Sequence, residues 1–106
     1  MSVIVTIRVQ ADADKLEEWA TANQETMKGI LEKAVSQGAI AHRFYADGNG
    51  GVMVLDEWPD AESFQTFFHG SMSEIGPMIE AAGGQGEPEV SFWHELETHD
   101  KHGWGA

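Results

Sequence analysis

Four residues of this chain place a titratable or amide side chain where the surrounding pattern is apolar. His42 lies between Ile40 and Phe44 in one alternating stretch, and His94 lies between Phe92 and Leu96 in another. An imidazole at an apolar-phase position is a candidate general base, because burial and neighbouring charges tune its proton affinity around neutral pH. The plainer reading of each is a hydrogen-bonded core or interface histidine. Asp56 is in phase with Val52 and Val54 and stands next to Trp58 on the same strand face. It can pair with Arg8 or Arg43, the preferred reading, or serve as the base in place of a histidine. Asn23 interrupts an apolar helical stripe, one turn after Trp19 and one turn before Met27. A buried amide has to be hydrogen-bonded, so Asn23 must meet a neighbouring carbonyl, a water or a ligand.

The aromatic side chains Trp19, Trp58, Phe64, Phe67 and Phe68 read first as core. Aromatics lining a cavity for a flat ligand have the same appearance in a sequence. His94, His99 and His102, with Glu95 and Asp100 between them, invite comparison with a metal site. Their spacing makes no helix-face ligand pair, and the segment leaves a strand for a glycine-bearing tail, so no metal is expected. His69 falls on the polar side of its helix and has no assigned role. The chain offers no cysteine thiolate, glycine-rich phosphate loop or nucleophile elbow for other chemistries.

The elements that must position these residues follow from periodicity. Val3, Val5, Ile7 and Val9 alternate on one face of a first strand. Ala11–Asp14 breaks it, and Asp14 with Glu17 forms a capping-box-like helix start. Leu16, Trp19, Ala20, Met27, Ile30, Leu31 and Ala34 then mark a single helix that Gly38 closes. Ala39 to Tyr45 reads as a second strand, Asp47–Gly51 as a hairpin turn, and Val52 to Trp58 as a third strand. Pro59 ends that strand, and Asp60 caps a helix carrying Phe64, Phe67 and Phe68, which Gly76-Pro77 must bend. Gly83 to Pro88 reads as a loop, and Val90 to Glu97 as a fourth strand with His94 inward. The order β-α-β-β-α-β with right-handed crossovers predicts an α+β, ferredoxin-like fold. Its four-stranded antiparallel sheet has the first and third strands central and both helices on one face.

Length and charge narrow the function. The 106 residues suit one domain, assigned to residues 1–98, with a polar tail over 99–106. A net charge of −12 repels phosphate backbones, so nucleic acid is not an expected partner, and solubility accounts for the acidity. With no cysteine and no apolar run of the roughly 20 residues a span needs, a cytoplasmic protein without membrane contact is expected. Helices cover only one face of such a sheet, and the other keeps large apolar groups. A homodimer packed through the sheet faces is the expected remedy.

The run Leu55-Asp56-Glu57-Trp58, followed by Asp60-Ala61-Glu62-Ser63-Phe64 and the Phe67-Phe68 pair, resembles the signature of the antibiotic biosynthesis monooxygenase-like domains. These belong to the dimeric α+β barrel superfamily. The resemblance implies a helix–sheet cavity in which a small aromatic or polyketide-like phenol is positioned by asparagine and tryptophan, deprotonated, and oxidised by O2 without a cofactor. On that implication Asn23, His42 and Asp56 are the catalytic candidates. Trp19, Trp58, Phe64, Phe67 and His94 are the substrate-binding candidates. Haem-degrading relatives carry an asparagine, a tryptophan and a histidine where this chain has Ile7, Phe67 and the Gly76-Pro77 region, which disfavours haem degradation. The competing reading is a non-catalytic dimeric barrel that binds a small apolar ligand or fills its cavity with side chains.

Overall fold

The computed structural model describes residues 1–104; the last two residues of the expected tail lie outside the described residues. The elements are β1 (Val3–Gln10), α1 (Ala13–Ala22), α2 (Gln24–Ser36), β2 (Ala41–Ala46), β3 (Gly51–Trp58), α3 (Ala61–Gly70), α4 (Met72–Ala81) and β4 (Gln85–Trp93). The strands form one antiparallel sheet in the order β2-β3-β1-β4, which puts β1 and β3 in the centre as the ferredoxin-like reading requires. One sheet face packs against the helices. Val3, Val5 and Trp58 from the sheet meet Ala34, Phe64, Phe67, Ile75 and Met78 in the core. Among the described residues no helix is long and apolar enough to cross a membrane.

Two helices were expected and four form, because the chain leaves the helical ladder at Asn23 and again at Ser71. Asn23 has φ −128° and ψ 43°, and its amide nitrogen Nδ2 donates to the Trp19 carbonyl at 2.8 Å. In a continuous helix the Asn23 backbone N–H would fill that carbonyl; here it turns to Ala20 instead, at 3.3 Å. The side chain thus replaces a backbone donor and lets the chain change direction. The second break falls at Ser71 (φ −115°, ψ 5°) and not at Gly76-Pro77. Pro77 sits inside α4, and the carbonyl it leaves without an amide partner belongs to Ser73, which is exposed and can bond water.

Other boundaries also shift. The N-cap of α1 is Asp12, whose carboxylate accepts the Lys15 amide at 3.1 Å, and not the Asp14–Glu17 box. Asp60 caps α3 as expected, accepting the Ser63 amide at 2.7 Å. The stretch read as a loop over Gly83–Pro88 is partly strand: β4 begins at Gln85, and its pairing with β1 slips between Arg8 and Gln10. β4 ends at Trp93, so His94 and Leu96 are exposed beyond the sheet and not on its inner face. Leu31, placed in the buried stripe by its spacing, borders the helix–sheet cavity and is 44% exposed.

The hairpin between β2 and β3 is held by one carboxylate. Asp47 Oδ1 accepts the amides of Asn49 at 2.7 Å and Gly51 at 2.9 Å, while Gly48 and Gly50 supply positive φ values of 73° and 84°. The two amide bonds, Gly51 first, hold the Asp47 carboxyl below its ordinary value. Its contribution to stability is therefore fully present above the unfolded-state value near 3.9 and fades as pH falls through the lower folded value. Thermal melts of the wild type and Asp47→Asn should differ most above about pH 4 and converge in stronger acid.

Candidate functional site

Between helices and sheet lies a cavity of about 80 Å³, measured as the volume open to the centres of water-sized molecules. The sheet contributes Ile7, His42, Phe44, Val54 and Asp56 to its wall, and the helices contribute Leu16, Met27, Ile30, Phe67, Phe68 and Met78. Every lining side chain is apolar except those of His42 and Asp56.

These two are brought together by strand register. In the β2–β3 pairing Ala46 lies opposite Val52, and counting back along both strands puts His42 opposite Asp56. Residues directly opposite in an antiparallel pair share a face. His42 Nδ1 is 2.7 Å from Asp56 Oδ1. The indole Nε1–H of Trp58, two residues on and on the same face, donates to Asp56 Oδ2 at 3.1 Å. Asp56 is 3% exposed and Trp58 fully buried, whereas the His42 side chain keeps 29% of its surface open.

With Asp56 as a carboxylate it can only accept, so His42 Nδ1 carries the hydrogen of their bond. The neutral ring then has its lone pair on Nε2, the nitrogen left to meet a ligand. An oriented imidazole of this kind can take up a proton from a ligand. Asp56 does not pair with Arg8 or Arg43. Those residues lie in the alternate phase, opposite Met53 and Leu55, and so project from the other sheet face.

The remaining candidates separate into three groups. Phe67 lines the cavity, while Trp58 and Phe64 stand behind it in the core: Trp58 contacts Phe64 edge-on at 5.9 Å and Phe67 at 5.4 Å between ring centroids. Trp19 packs against the core but is outside the cavity wall. Neither Asn23 nor His94 is among the residues lining the cavity; of the alternatives open to Asn23 it takes the neighbouring carbonyl, and His94 does not face inward as its phase suggested. The Asn23 amide is spent on the Trp19 carbonyl, and His94 lies in the exposed chain past β4. In that segment Lys101 pairs with both Glu95 and Glu97 at 3.1 Å, and these contacts raise its ammonium above the ordinary lysine value, Glu95 foremost. Among the described residues no group of three or more histidine, aspartate or glutamate side chains is placed to hold a metal ion.

Sequence reasoning missed that His42 and Asp56 form a pair, although the hairpin length carries the signal. A turn over Asp47–Gly51 with Ala46 opposite Val52 fixes the pairing of every residue further along. The cavity wall supplied by α4, including Met78 and Ile79, has no such local signal.

Comparison with solved structures places this geometry among known folds. SnoaB, a cofactor-independent oxygenase from Streptomyces nogalater, aligns over 94% of this chain and 98% of its own, with a TM-score of 0.58 and 14% identity. The fold is that of the antibiotic biosynthesis monooxygenase-like proteins. A monooxygenase from the gene ActVA-Orf6 of Streptomyces coelicolor, in complex with the ligand Nanaomycin D, aligns over 92% of this chain and 88% of its own (TM-score 0.60, 20% identity). A dimeric ferredoxin-like protein from an uncultured marine organism aligns over 95% and 93% (TM-score 0.65, 11% identity). At these identities the likeness is one of fold. No family model matches the chain, and no curated protein matches it in sequence.

Asp56 is the acceptor for two donors, so its removal should be felt in stability. Asp56→Ala strands the Trp58 indole and frees the His42 ring, and is expected to cost about 1–3 kcal/mol in urea unfolding followed by tryptophan fluorescence. Asp56→Asn, which still offers one acceptor oxygen, should lose less.

Proposed function

We propose that this chain is a cofactor-independent monooxygenase that oxidises a small phenol with O2, using His42 as general base in the helix–sheet cavity. The observation that carries the reading is the 2.7 Å contact from His42 Nδ1 to Asp56 Oδ1 at the wall of an otherwise apolar cavity. The fold shared with SnoaB and with the Streptomyces coelicolor monooxygenase supports it.

His42 Nε2 takes the phenol proton and leaves an electron-rich phenolate. Carbon para to the oxygen gives an electron pair to O2, forming a C–O bond, and the peroxide takes the proton back from His42. The base then removes the hydrogen from that carbon, the O–O bond breaks, and the departing hydroxide collects the proton as water. The sum is phenol plus O2 giving quinone plus water. Asp56 is a positioning residue that holds the imidazole ring and its tautomer, and Trp58 in turn holds Asp56. Apolar walls keep water from the phenolate and the peroxide. Asn23 acts at a distance here, by bending the first helical arm over the sheet, and Trp19 and Phe64 support the cavity from behind.

In this reading the functional unit is residues 1–98, paired as a homodimer through the sheet faces. The open face carries the rows Tyr45–Met53–Arg8–Glu89, Arg43–Leu55–Thr6–Ser91 and Ala41–Glu57–Ile4–Trp93. Tyr45 and Trp93 are 49% and 57% exposed on it. Such a mix of large apolar groups with unlike charges suits a self-complementary two-fold contact. Light scattering should give twice the chain mass, and Leu55→Glu should shift the protein to monomer at the same concentration.

Oxygen uptake against a panel of hydroquinones, anthrones and simple phenols tests the chemistry. His42→Gln is expected to lower kcat by about 10²–10⁴-fold with the fold retained by circular dichroism. Asp56→Asn should lower kcat with KM little changed. Uptake equal to the wild type in His42→Gln would remove the histidine from the reaction, and ligand binding without any uptake across the panel would leave a binding protein.

A further inference from the structure

The wall of the helix–sheet cavity is sealed on one side and open on another, and this asymmetry dictates how a ligand lies in it. We infer that the mouth lies between α2 and the outer strand β2, gated by Leu31, and that a bound phenol keeps its hydroxyl at this mouth and its far end against α4. Polar or charged substituents are then accepted beside the hydroxyl and refused opposite it. The choice of a phenol as ligand rests on the monooxygenase reading above; the position of the mouth does not.

Exposure locates the opening. From α3 and α4 the wall takes Phe67, Ile75, Met78 and Ala82, and all four are buried. Leu31 is 44% exposed, and the His42 side chain keeps 29% of its surface open. Leu31 belongs to α2 and His42 to β2, which has a neighbouring strand on one side only. These two open wall residues flank a gap at the edge of the sheet.

The rim of the gap is apolar. Val35 lies one turn beyond Leu31 on the same side of α2, and Ile40 stands two residues before His42; each is 57% exposed. Large apolar side chains held in water beside a cavity suit the passage of an apolar ring from solvent to the interior.

The hairpin end of the cavity is closed. Ala11 and Ala82 line both the cavity and a polar cleft beside the Asp47 turn, so they form the partition between the two. Two backbone bonds lace it. The Asp12 N–H donates to the Ala82 carbonyl at 2.9 Å, and the Ala11 N–H to the Gly50 carbonyl at 3.1 Å. Entry there would break both, whereas Leu31 clears the other gap by rotating its own side chain.

The imidazole then sets the direction of the ligand. His42 Nδ1 faces Asp56 on the neighbouring inner strand, and Nε2 lies across the ring from it. The free nitrogen therefore points away from β3, toward the outer edge of the sheet. A hydroxyl bonded to Nε2 sits at the threshold, and the ring extends inward toward Ile75 and Met78. The carbon para to the hydroxyl becomes the part furthest from water, and the ortho carbons flank the mouth. A charged group at the para carbon would be buried among Phe67, Ile75 and Met78 without a partner, which is strongly unfavourable. At an ortho carbon the same group leaves through the gap and stays hydrated. With the chain at −12, a cation is the charge best received there.

Two isomeric phenols test this, carrying a 3-(trimethylammonio)propyl chain at carbon 2 or at carbon 4. They share charge, composition and hydroxyl, and the quaternary nitrogen has no hydrogen to donate. In calorimetric titration of the full chain at pH 7, the 2-isomer is expected to bind about tenfold or more tightly than the 4-isomer. The chain has no cysteine, so Leu31→Cys provides one thiol for a bulky maleimide, and Asn49→Cys provides one in the cleft at the hairpin end. Modification at position 31 should weaken the 2-isomer about tenfold or more relative to the same variant unmodified, with circular dichroism unchanged. Modification at position 49 should leave its affinity the same. Binding of the 4-isomer as tight as that of the 2-isomer, no binding of either, or blockage from position 49 and not from 31 would overturn the inference. Oxygen uptake with simple phenols on the same samples separates the two readings. The expected binding order and blockage without any uptake would sustain the inference and sink the monooxygenase reading; uptake with equal binding of the isomers would do the reverse.

Discussion

The helix-covered half of this protein is arranged around one buried carboxylate. Asp56 sits at 3% exposure on a central strand, where an unpaired charge would be strongly unfavourable. It is tolerated because two donors converge on it from fixed directions, the Trp58 indole along the same strand and the His42 ring across the hairpin. Each donor is held in turn. Trp58 is wedged against Phe64 and Phe67, and His42 meets Phe44 edge-on at 5.2 Å. The tie between core and site is thus a single side chain: what satisfies the carboxylate also orients the imidazole.

That arrangement depends on a hairpin register with no slack. Asp47 gathers the amides of Asn49 and Gly51, and the turn this makes sets Ala46 against Val52. A slip by one residue would turn His42 to the open face and leave Asp56 without its partner. The carboxylate that closes the turn and the one that orients the histidine therefore belong to the same hairpin, nine residues apart in the chain.

The helical layer is less regular, and at its first break a polar side chain replaces a backbone donor. Asn23 and Ser71 each interrupt a helix that periodicity would have continued. The Asn23 amide takes over a backbone carbonyl, and the Ser71 hydroxyl is fully buried without a partner. Four short helices can follow the curved sheet more closely than two long ones. Lys33 ties the two arms together by donating to the Gly70 carbonyl at 2.8 Å.

Local chemistry in the sequence determined the alternation of strands and helical arms, the faces of the first three strands, the Asp47 turn and the Asp60 cap, because each rests on neighbours within a few residues. It also marked His42 and Asp56 as polar groups in apolar phase. Tertiary structure decided the rest. Whether Asn23 reached a ligand or a carbonyl was a contest between a side chain and its own helix, and the Trp19 carbonyl one turn away won. Whether His94 faced inward depended on where β4 stopped pairing with β1, a matter of the partner strand's length. Asp56 could have met an arginine by charge alone, but the pleat sends Arg8 and Arg43 to the far side of the sheet. Which of several eligible groups share a cavity is set by register and pleat across the whole sheet, and no single stretch of the chain contains that information.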